Sequence, residues 1–395
     1  MSALASDSTH NTGSLSERAR RVALVAAEHA GDVDTDARFP HETIAALRES
    51  GLLSAAVPSN LGGEGAAVSE LGEVAMILAE ACASSAMIFA MHQIQVACVI
   101  RHGGDSPAAR SALESLVNDG TLFASATTEI NIGGDTRKSG CAVEVHDGDR
   151  VTLAKTAPVI SYGAHADFVL ATARRAADAA PSDQVLVICP AASTTLRQIS
   201  QWDTLGFRGT CSPGFELQAE VTVDHVLPVE YATISAETML PISHVLWASV
   251  WLGIAHAAAD RATRAVQSAA RKTIGTLPPA ATRLAELLGA MSAFDSVVAD
   301  ATRSFDSRRD DSRSLTSIGS AIAFNALKIT ASDAVIDIVS KAMLVAGIAG
   351  YRQDSDLSLG RLLRDAYGTA VMVNNDRILA NNAQLSLMQR KHTSE

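Results

Sequence analysis

Short segments rich in valine, threonine and isoleucine occupy the middle of the chain, between two regions of helical periodicity. Within 122–223 these segments are separated by Gly, Asp and Pro, and DGDR at 147–150 is a hairpin signal. On either side, small and apolar residues recur three and four positions apart. The pattern predicts an α+β multidomain protein with an N-terminal α-helical domain, a middle antiparallel β domain and a C-terminal four-helix-bundle-like α domain. The predicted domains are 1–120, 121–235 and 236–395.

The most apolar stretch of the chain, 241–259, approaches the length of a membrane span. It contains the polar residues Ser243, His244, Ser249 and His256, which are costly to place in lipid. We therefore expect a buried helix here and no membrane span.

Charge and cysteine usage exclude several classes of protein. Forty-three acidic against 32 basic residues give a net charge of −11, so we expect no cationic face for nucleic acid. The 5 cysteines are scattered and form no CxxC pair, and the histidines are scattered too, so no disulfide framework and no metal site are predicted. The polar N-terminus lacks the pattern of a secretory signal, which favours a cytoplasmic location.

Seven segments occur in the order found in the acyl-CoA dehydrogenase superfamily of flavoproteins, and the chain resembles that family over nearly its whole length. They look like the family's first helices with their Gly-rich loop, its "TE…GSD" flavin loop, its "WITNG" strand, and its "GxRxS", "RxxFG", "GGxGY" and "RDA" motifs. In this sequence the segments are FPHETIAALRESGLLSAAVPSNLGGEG, ATTEINIGGD, KTAPVISYGAHAD, LGFRGTCSPGFELQAEVTV, ARKTIG, AGIAGY and LLRDA. The resemblance implies the family's fold and a bound flavin.

Carried over residue by residue, the resemblance places Thr127 and Thr128 against the flavin pyrimidine and Ser161 near the reactive N5 atom. Hydroxyl groups and backbone donors orient such a ring, while the redox chemistry belongs to the cofactor. Two positions depart from the family pattern. The serine after the TE motif is replaced by Gly134, and the tryptophan beside the flavin is replaced by Val159.

The family clamps the adenine half of FAD with Arg, Phe and Gln from a neighbouring subunit. Here Arg271 is retained, whereas Ile274 and Thr282 stand at the other two positions. Gly347 keeps part of the glycine turn that lets backbone approach a phosphate or a ring, and Asn375 is a further candidate cofactor contact. We expect FAD, with FMN as the alternative.

The base that the family uses in dehydrogenation is missing. In most members a glutamate seven residues after the RDA motif removes the α-proton of the acyl thioester. That position is Val373 here. A minority of members place the glutamate at a position that aligns with Ser243. Neither residue is a carboxylate, so the standard mechanism lacks its standard base.

Other polar residues are candidates for the missing catalytic group. We rank His244 first, because an imidazole in an apolar helix can act as a general base near neutral pH; the alternative is a hydrogen-bonded core histidine. Asp376 is second, since it follows Val373 by three residues, although it fits a capping or ion-pair residue equally well. His92 is third, because the family's acyl tunnel passes this region, and Tyr162, beside Ser161, is a further polar replacement.

Three functions from different classes are compatible with the sequence. The first is an FAD-dependent α,β-dehydrogenase of a thioester carried by CoA or an acyl carrier protein, with an electron acceptor flavoprotein as partner. The second is a flavin-dependent monooxygenase that takes reduced flavin from a separate reductase and uses O₂. The third is a non-catalytic partner subunit. The resemblance also implies a homodimer or homotetramer, because the family shares FAD across subunits.

Overall fold

The computed structural model describes residues 12–130, 132, 135–272 and 275–389. The first part of the chain is helical, and its first helix begins at a capping box. Ser14 Oγ accepts a hydrogen bond from the Glu17 backbone N–H, and the Glu17 carboxylate accepts one from the Ser14 backbone N–H. The N-terminal helices are α1 (Leu15–Thr35), α2 (His41–Glu49), α3 (Val68–Ala81), α4 (Ala83–His102) and α5 (Pro107–Asp119).

The middle of the chain forms two sheets. The strands are β1 (Phe123–Ala126), β2 (Val143–Val145), β3 (Arg150–Ala157), β4 (Phe168–Arg174), β5 (Gln184–Pro190), β6 (Thr194–Gln198) and β7 (Phe215–Thr222). One sheet has the order β1-β4-β5 and the other the order β2-β3-β7-β6. Strand pairing is antiparallel except between β1 and β4, which run parallel. A long connection separates β1 from β4 in sequence, as a parallel pair requires.

The last part of the chain is again helical, and its long helices pack into a bundle. Its elements are α6 (Tyr231–Ile234), a π-helical turn (Ser235–Met239), α7 (Leu240–Lys272), α8 (Ala281–Asp306), α9 (Ser312–Leu315), α10 (Ile318–Ala346), α11 (Ile348–Tyr351), α12 (Gly360–Val371) and α13 (Asn375–Met388). α7 lies at the centre and packs against α10 and α8, and on another side against α3 and α4. The fold class predicted from the sequence is confirmed.

Two helical segments are long and apolar enough to cross a membrane by length and composition, namely α4 and the continuous run from Tyr231 to Lys272. In the fold, 83% and 94% of their most apolar stretches are buried. α7 is apolar on most sides because both the bundle and the N-terminal helices cover it. This burial supports the prediction that 241–259 is a buried helix.

Candidate functional site

A cavity of about 810 Å³ lies where the β domain meets α4, α7 and α12. Its outer rim is open, since the side chains of Val159, Leu205 and Tyr367 there are exposed. Its inner end lies between α4 and α7, where Gln95 and His244 are buried. The cavity therefore reaches from the surface into the core of the molecule.

Helical spacing explains which side chains reach this cavity from α4 and α7. Residues three, four and seven positions apart share one face of a helix. From α7 the cavity is lined by Leu240, Ser243, His244 and Trp247, and from α4 by Met87, Met91, Ile94 and Gln95. Mainly apolar faces with a few polar groups thus form the inner walls.

The residues predicted to contact a flavin from the β domain lie together on the cavity wall. Thr127, Thr128, Val159 and Ser161 all line it, just beyond the ends of β1 and β3. The Thr128 hydroxyl donates a hydrogen bond to the Val159 carbonyl oxygen at 3.1 Å, which ties the two strand ends together. The sequence prediction therefore brought together residues that are neighbours in space.

A line of hydroxyl groups supports Ser161. Ser212 Oγ donates a hydrogen bond to Ser161 Oγ at 2.9 Å, and Thr210 Oγ1 lies 2.8 Å from Ser212 Oγ. Because Ser161 accepts in this contact, its own O–H remains available to donate into the cavity. Sequence analysis did not single out Ser212, because a serine in a loop carries no signal of its partner.

The donor set of this wall fits the ring system of a flavin. Thr127, Thr128 and Ser161 offer uncharged hydroxyl groups, which match the neutral heteroatoms of an isoalloxazine. Apolar residues of the same lining, among them Met87, Trp247 and Val373, offer surface against which such a ring packs. The residues present therefore fit the redox-active half of the cofactor.

The residues predicted for the nucleotide half are not gathered in the cavity. Arg271 is exposed at the end of α7, and Gly347 ends α10 with φ +60° and open space around its Cα. Neither lines the cavity. Gly134 and Ile274 lie outside the described residues.

His244 is buried on the cavity wall, with a tautomer fixed by one contact. Its Nδ1 lies 2.9 Å from the Phe324 carbonyl oxygen, so Nδ1 carries the proton and Nε2 carries the lone pair. The pKa of His244 is lowered to about 4, chiefly by burial; the Phe324 carbonyl opposes this shift and the positive charge of Lys328 adds to it. At neutral pH the ring is an uncharged hydrogen-bond acceptor.

The structure does not bring the other candidates for a catalytic group to the cavity. His92 is fully buried behind the wall, where Nε2 donates to the Leu53 carbonyl and Nδ1 accepts from the Phe123 backbone N–H, both at 3.0 Å. The expectation that His92 faces the tunnel is wrong, because both of its ring nitrogens bind backbone. Tyr162 is also buried, and its hydroxyl donates to the Phe123 carbonyl oxygen.

Asp376 and Asn375 lie in the first turn of α13, outside the cavity lining. Asp376 is exposed, and its backbone N–H donates to the Asn374 side chain. Asn375 accepts a hydrogen bond from the buried Lys328 ammonium at 2.6 Å and donates one to Ser332 at 3.0 Å. These bonds make Asn375 a link between α10 and α13.

The positions of both family glutamates lie on the cavity wall. Val373 and Ser243 line it, as the alignment with the family implied. Among the described residues that line the cavity, none is Asp or Glu. Val373 has φ +47°, which is unfavourable for a β-branched residue, so the segment between α12 and α13 is strained at the cavity wall.

The RDA motif holds the rim of the cavity together. Arg364 pairs with Asp34 of α1 and also donates to the Leu205 carbonyl oxygen at 3.0 Å. Asp365 accepts a hydrogen bond from the Phe207 backbone N–H at 2.6 Å, and its burial raises its pKa to about 6. A Cβ at Gly206 would lie 2.4 Å from the Arg364 carbonyl oxygen, so this approach requires glycine.

Comparison with known proteins places this architecture in one family. Residues 11–118 match the family model described as acyl-CoA dehydrogenase, N-terminal domain, and residues 234–382 match that described as acyl-CoA dehydrogenase, C-terminal domain. The amino sugar nitrososynthase DnmZ of Streptomyces peucetius is 26% identical over 348 residues, which cover 85% of this chain and 82% of that protein.

Two solved structures share the fold. FMN-bound TdsC from Paenibacillus sp. A11-2 has a TM-score of 0.83 at 18% identity, covering 95% of this chain and 98% of that one. Butyryl-CoA dehydrogenase from Megasphaera elsdenii has a TM-score of 0.80 at 20% identity, covering 96% and 99%. With both of its helical domains matched by family models, the chain belongs to the acyl-CoA dehydrogenase family.

Proposed function

We propose that this protein is a flavin-dependent monooxygenase, which takes reduced flavin from a separate reductase and uses O₂ to oxidise a largely apolar substrate. The observation that carries the proposal is the nature of the cavity wall. Val373 and Ser243 stand at the two positions where the family places a carboxylate base. In the part of the chain that the structure describes, no carboxylate lines the cavity.

Acyl-thioester dehydrogenation and oxygen insertion differ in whether they require a base, and this difference favours oxygen insertion. Dehydrogenation of an acyl thioester requires a base at the α-carbon, and neither a valine nor a serine hydroxyl accepts that proton. Oxygen insertion requires no α-proton base. The reduced flavin supplies two electrons, one oxygen atom enters the substrate, and the other leaves as water.

The residues of the β domain supply orientation. Thr127 and Thr128 would hold the polar edge of the ring and Ser161 would donate a hydrogen bond to its redox-active edge, while the flavin would supply the redox chemistry. Val159 in place of the family's tryptophan would leave space beside the ring. FAD stays our prediction and FMN the alternative; mass spectrometry of the released cofactor distinguishes them. TdsC, a dibenzothiophene monooxygenase that binds FMN, and MsuC, a methanesulfinate monooxygenase, share this fold and are consistent with the proposal.

Acyl-thioester dehydrogenation is the second candidate, and one observation favours it. Nε2 of His244 is an uncharged acceptor on the cavity wall and makes no hydrogen bond to the described residues. Its pKa of about 4 makes it a weak base, which is why we rank this function second. The substrate would be an acyl-CoA or acyl carrier protein thioester, and an electron acceptor flavoprotein would be the partner.

Association of copies of this chain is part of the proposal. Leu344, Ile348 and Tyr351 expose large apolar side chains near Gly347, at the end of α10. Contact with a second subunit would cover them, as in a homodimer or homotetramer.

One two-arm assay tests the proposal. The purified protein is loaded with flavin and, without oxygen, offered a panel of acyl thioesters; separately, it is given reduced flavin, O₂ and apolar substrates. We expect oxygen-dependent product in the second arm and no loss of flavin colour in the first. Bleaching by a thioester that is abolished in His244→Ala and enhanced in Val373→Glu would establish dehydrogenation instead. Failure of both arms with no flavin bound would favour a non-catalytic partner subunit.

A further inference from the structure

A lysine is buried behind the cavity wall, in contact with uncharged partners. Lys328, on α10, is fully buried, and its ammonium group donates to the Thr369 carbonyl oxygen at 3.0 Å and to Asn375 Oδ1 at 2.6 Å. Burial lowers the pKa of Lys328 to about 8, against the opposing effect of the Asp333 charge. Burying a cation costs free energy unless its hydrogen bonds compensate. These two bonds therefore indicate what Lys328 does.

The two oxygens lie on either side of one short stretch of chain. Thr369 lies in the last turn of α12, and Asn375 begins α13. Residues 370–374, here called the wall segment, lie between them, and 371–373 line the cavity. One ammonium group thus fastens both ends of the wall segment to α10.

The wall segment has little else to hold it in place. Val373 adopts φ +47°, and strained backbone of this kind persists only where its surroundings fix it. The side chains of Val371 and Val373 are 73% and 48% exposed, so they bury little apolar surface. The Thr369 carbonyl is among the last four of α12, which lack partners in a regular helix, and Lys328 supplies its donor.

The same face of α10 orients the acceptor on α13. Ser332 lies one turn after Lys328, and residues four positions apart share a helix face. Asn375 Nδ2 donates to Ser332 Oγ at 3.0 Å, which directs Asn375 Oδ1 towards the ammonium group. The Thr369 hydroxyl also lies 3.4 Å from the Ser332 carbonyl oxygen. Both ends of the wall segment are therefore tied to one turn of α10.

We propose that Lys328 is a positioning residue of the cavity, whose two hydrogen bonds hold the wall segment in the place that flavin binding requires. The segment carries Val373, which stands where the family places its base, so it borders the reacting part of the site. In linking the segment to flavin, the inference rests on the proposed function. The restraint of the segment does not.

Hydrogen exchange of the backbone amides in Lys328→Met tests the restraint. Methionine keeps the unbranched apolar stem and removes the donors. We expect exchange in the wall segment to become about tenfold faster or more, with unchanged exchange in α7. A residue that only stabilises the whole fold would speed exchange in α7 as well. Unchanged exchange in the wall segment, or an equal increase in α7, would overturn the proposal.

Fluorescence titration with FMN and with FAD tests the consequence for binding. Lys328→Met should weaken the binding of the preferred flavin about fivefold or more. Lys341→Met is the matched control, because Lys341 is on the same helix but pairs with Asp337 at the surface, outside the cavity lining. It should stay within about twofold of the wild type. Equal flavin affinities for the two variants would overturn the proposal.

A change at Asn375 tests whether Lys328 acts through this bond, and it remains available if Lys328→Met does not fold. Asn375→Asp keeps an oxygen for the ammonium group, so exchange in the wall segment should stay as slow as in the wild type or become slower. Asn375→Leu removes the acceptor and should speed it about threefold or more. Equal exchange rates in these two variants would overturn the proposal.

The outcomes separate this inference from the proposed function. Flavin affinity and wall-segment exchange that depend on Lys328, in a protein that inserts no oxygen, would support the inference and refute the monooxygenase. Oxygen insertion, with both properties unchanged in Lys328→Met, would support the monooxygenase and refute the inference. A wild-type protein that binds no flavin would refute both, whatever the exchange rates.

Discussion

Nδ1 of His244 donates a hydrogen bond to the carbonyl oxygen of Phe324 at 2.9 Å. This contact joins the N-terminal part of α7 to α10 and leaves Nε2 as the acceptor of the ring. The neighbouring Lys328 and the burial of the ring both lower the pKa of His244. The residue that sequence analysis ranked first thus lies on the cavity wall in its neutral form.

The first prediction concerns acid stability. Burial lowers the pKa of both His244 and His92 to about 4, from an ordinary value of 6.5. Between these pH values the unfolded chain binds more protons than the folded one, so the free energy of unfolding falls as the pH falls. Each histidine should contribute on the order of 3 kcal/mol to this loss. Denaturant unfolding between pH 7 and pH 4 measures it, and His244→Gln should flatten the dependence. An unchanged slope in this variant would contradict the assigned pKa.

The second prediction concerns the hydroxyl pair at the flavin side of the cavity. Ser161→Ala removes a donor to the ring and should weaken flavin binding by about 1 kcal/mol, roughly fivefold. Ser212→Ala should have a smaller effect in the same direction, because it removes only the support of Ser161. Ser193→Ala, outside the cavity lining, is the control. Fluorescence titration measures the affinities, and equal values for Ser161→Ala and Ser193→Ala would remove Ser161 from the site.

The third prediction concerns the strained residue between α12 and α13. Val373 adopts φ +47°, so Val373→Gly should raise the free energy of unfolding by about 1 kcal/mol through relief of strain. Val371→Gly, two residues earlier at the end of α12, should lower it by about 0.5 kcal/mol, because glycine is a poorer helix residue than valine. Thermal or denaturant unfolding of the two variants shows whether each change raises or lowers the free energy of unfolding. If both changes destabilise the protein, then packing of the Val373 side chain stabilises the fold by more than its backbone strain destabilises it.

The fourth prediction compares two glutamines on α4. Gln93 Nε2 donates to the carbonyl oxygens of Leu52 and Leu53, at 3.1 and 2.9 Å. Gln93→Leu removes both of these bonds, while the bond from His92 to the Leu53 carbonyl remains, and should lower the free energy of unfolding by about 2 kcal/mol. Gln95→Leu removes an atom that is already unpaired and should raise it by about 1 kcal/mol. Equal destabilisation by both changes would mean that the Gln95 amide supports the fold as the Gln93 amide does.

The three-part architecture was predictable from the sequence because helical and strand periodicities differ so clearly. The parallel pairing of β1 with β4 was not, since a strand's own residues do not specify its partner. Hairpin signals such as DGDR report only local pairing, here that of β2 with β3.

The candidate site was predictable where family motifs identified its residues. Thr127, Thr128, Val159 and Ser161 came from family resemblance, and the structure gathers them on one wall. His92 was misplaced because an apolar helix buried on most sides gives no sign of which face lines a cavity.

The polar inner end was missed for the same reason. Gln95 and Trp247 stand in apolar helices, and only the packing of α4 on α7 shows that both residues line one cavity.

Transfer of isotope-labelled dioxygen is the most direct test of the central claim, that this cavity holds a flavin for oxygen insertion. The flavin-loaded protein is given reduced flavin, labelled O₂ and a panel of apolar substrates, and the products are weighed by mass spectrometry. We expect a product that has gained a single labelled oxygen atom and is absent without O₂. A product without label, or flavin that is bleached by an acyl thioester in the absence of oxygen, would contradict the claim.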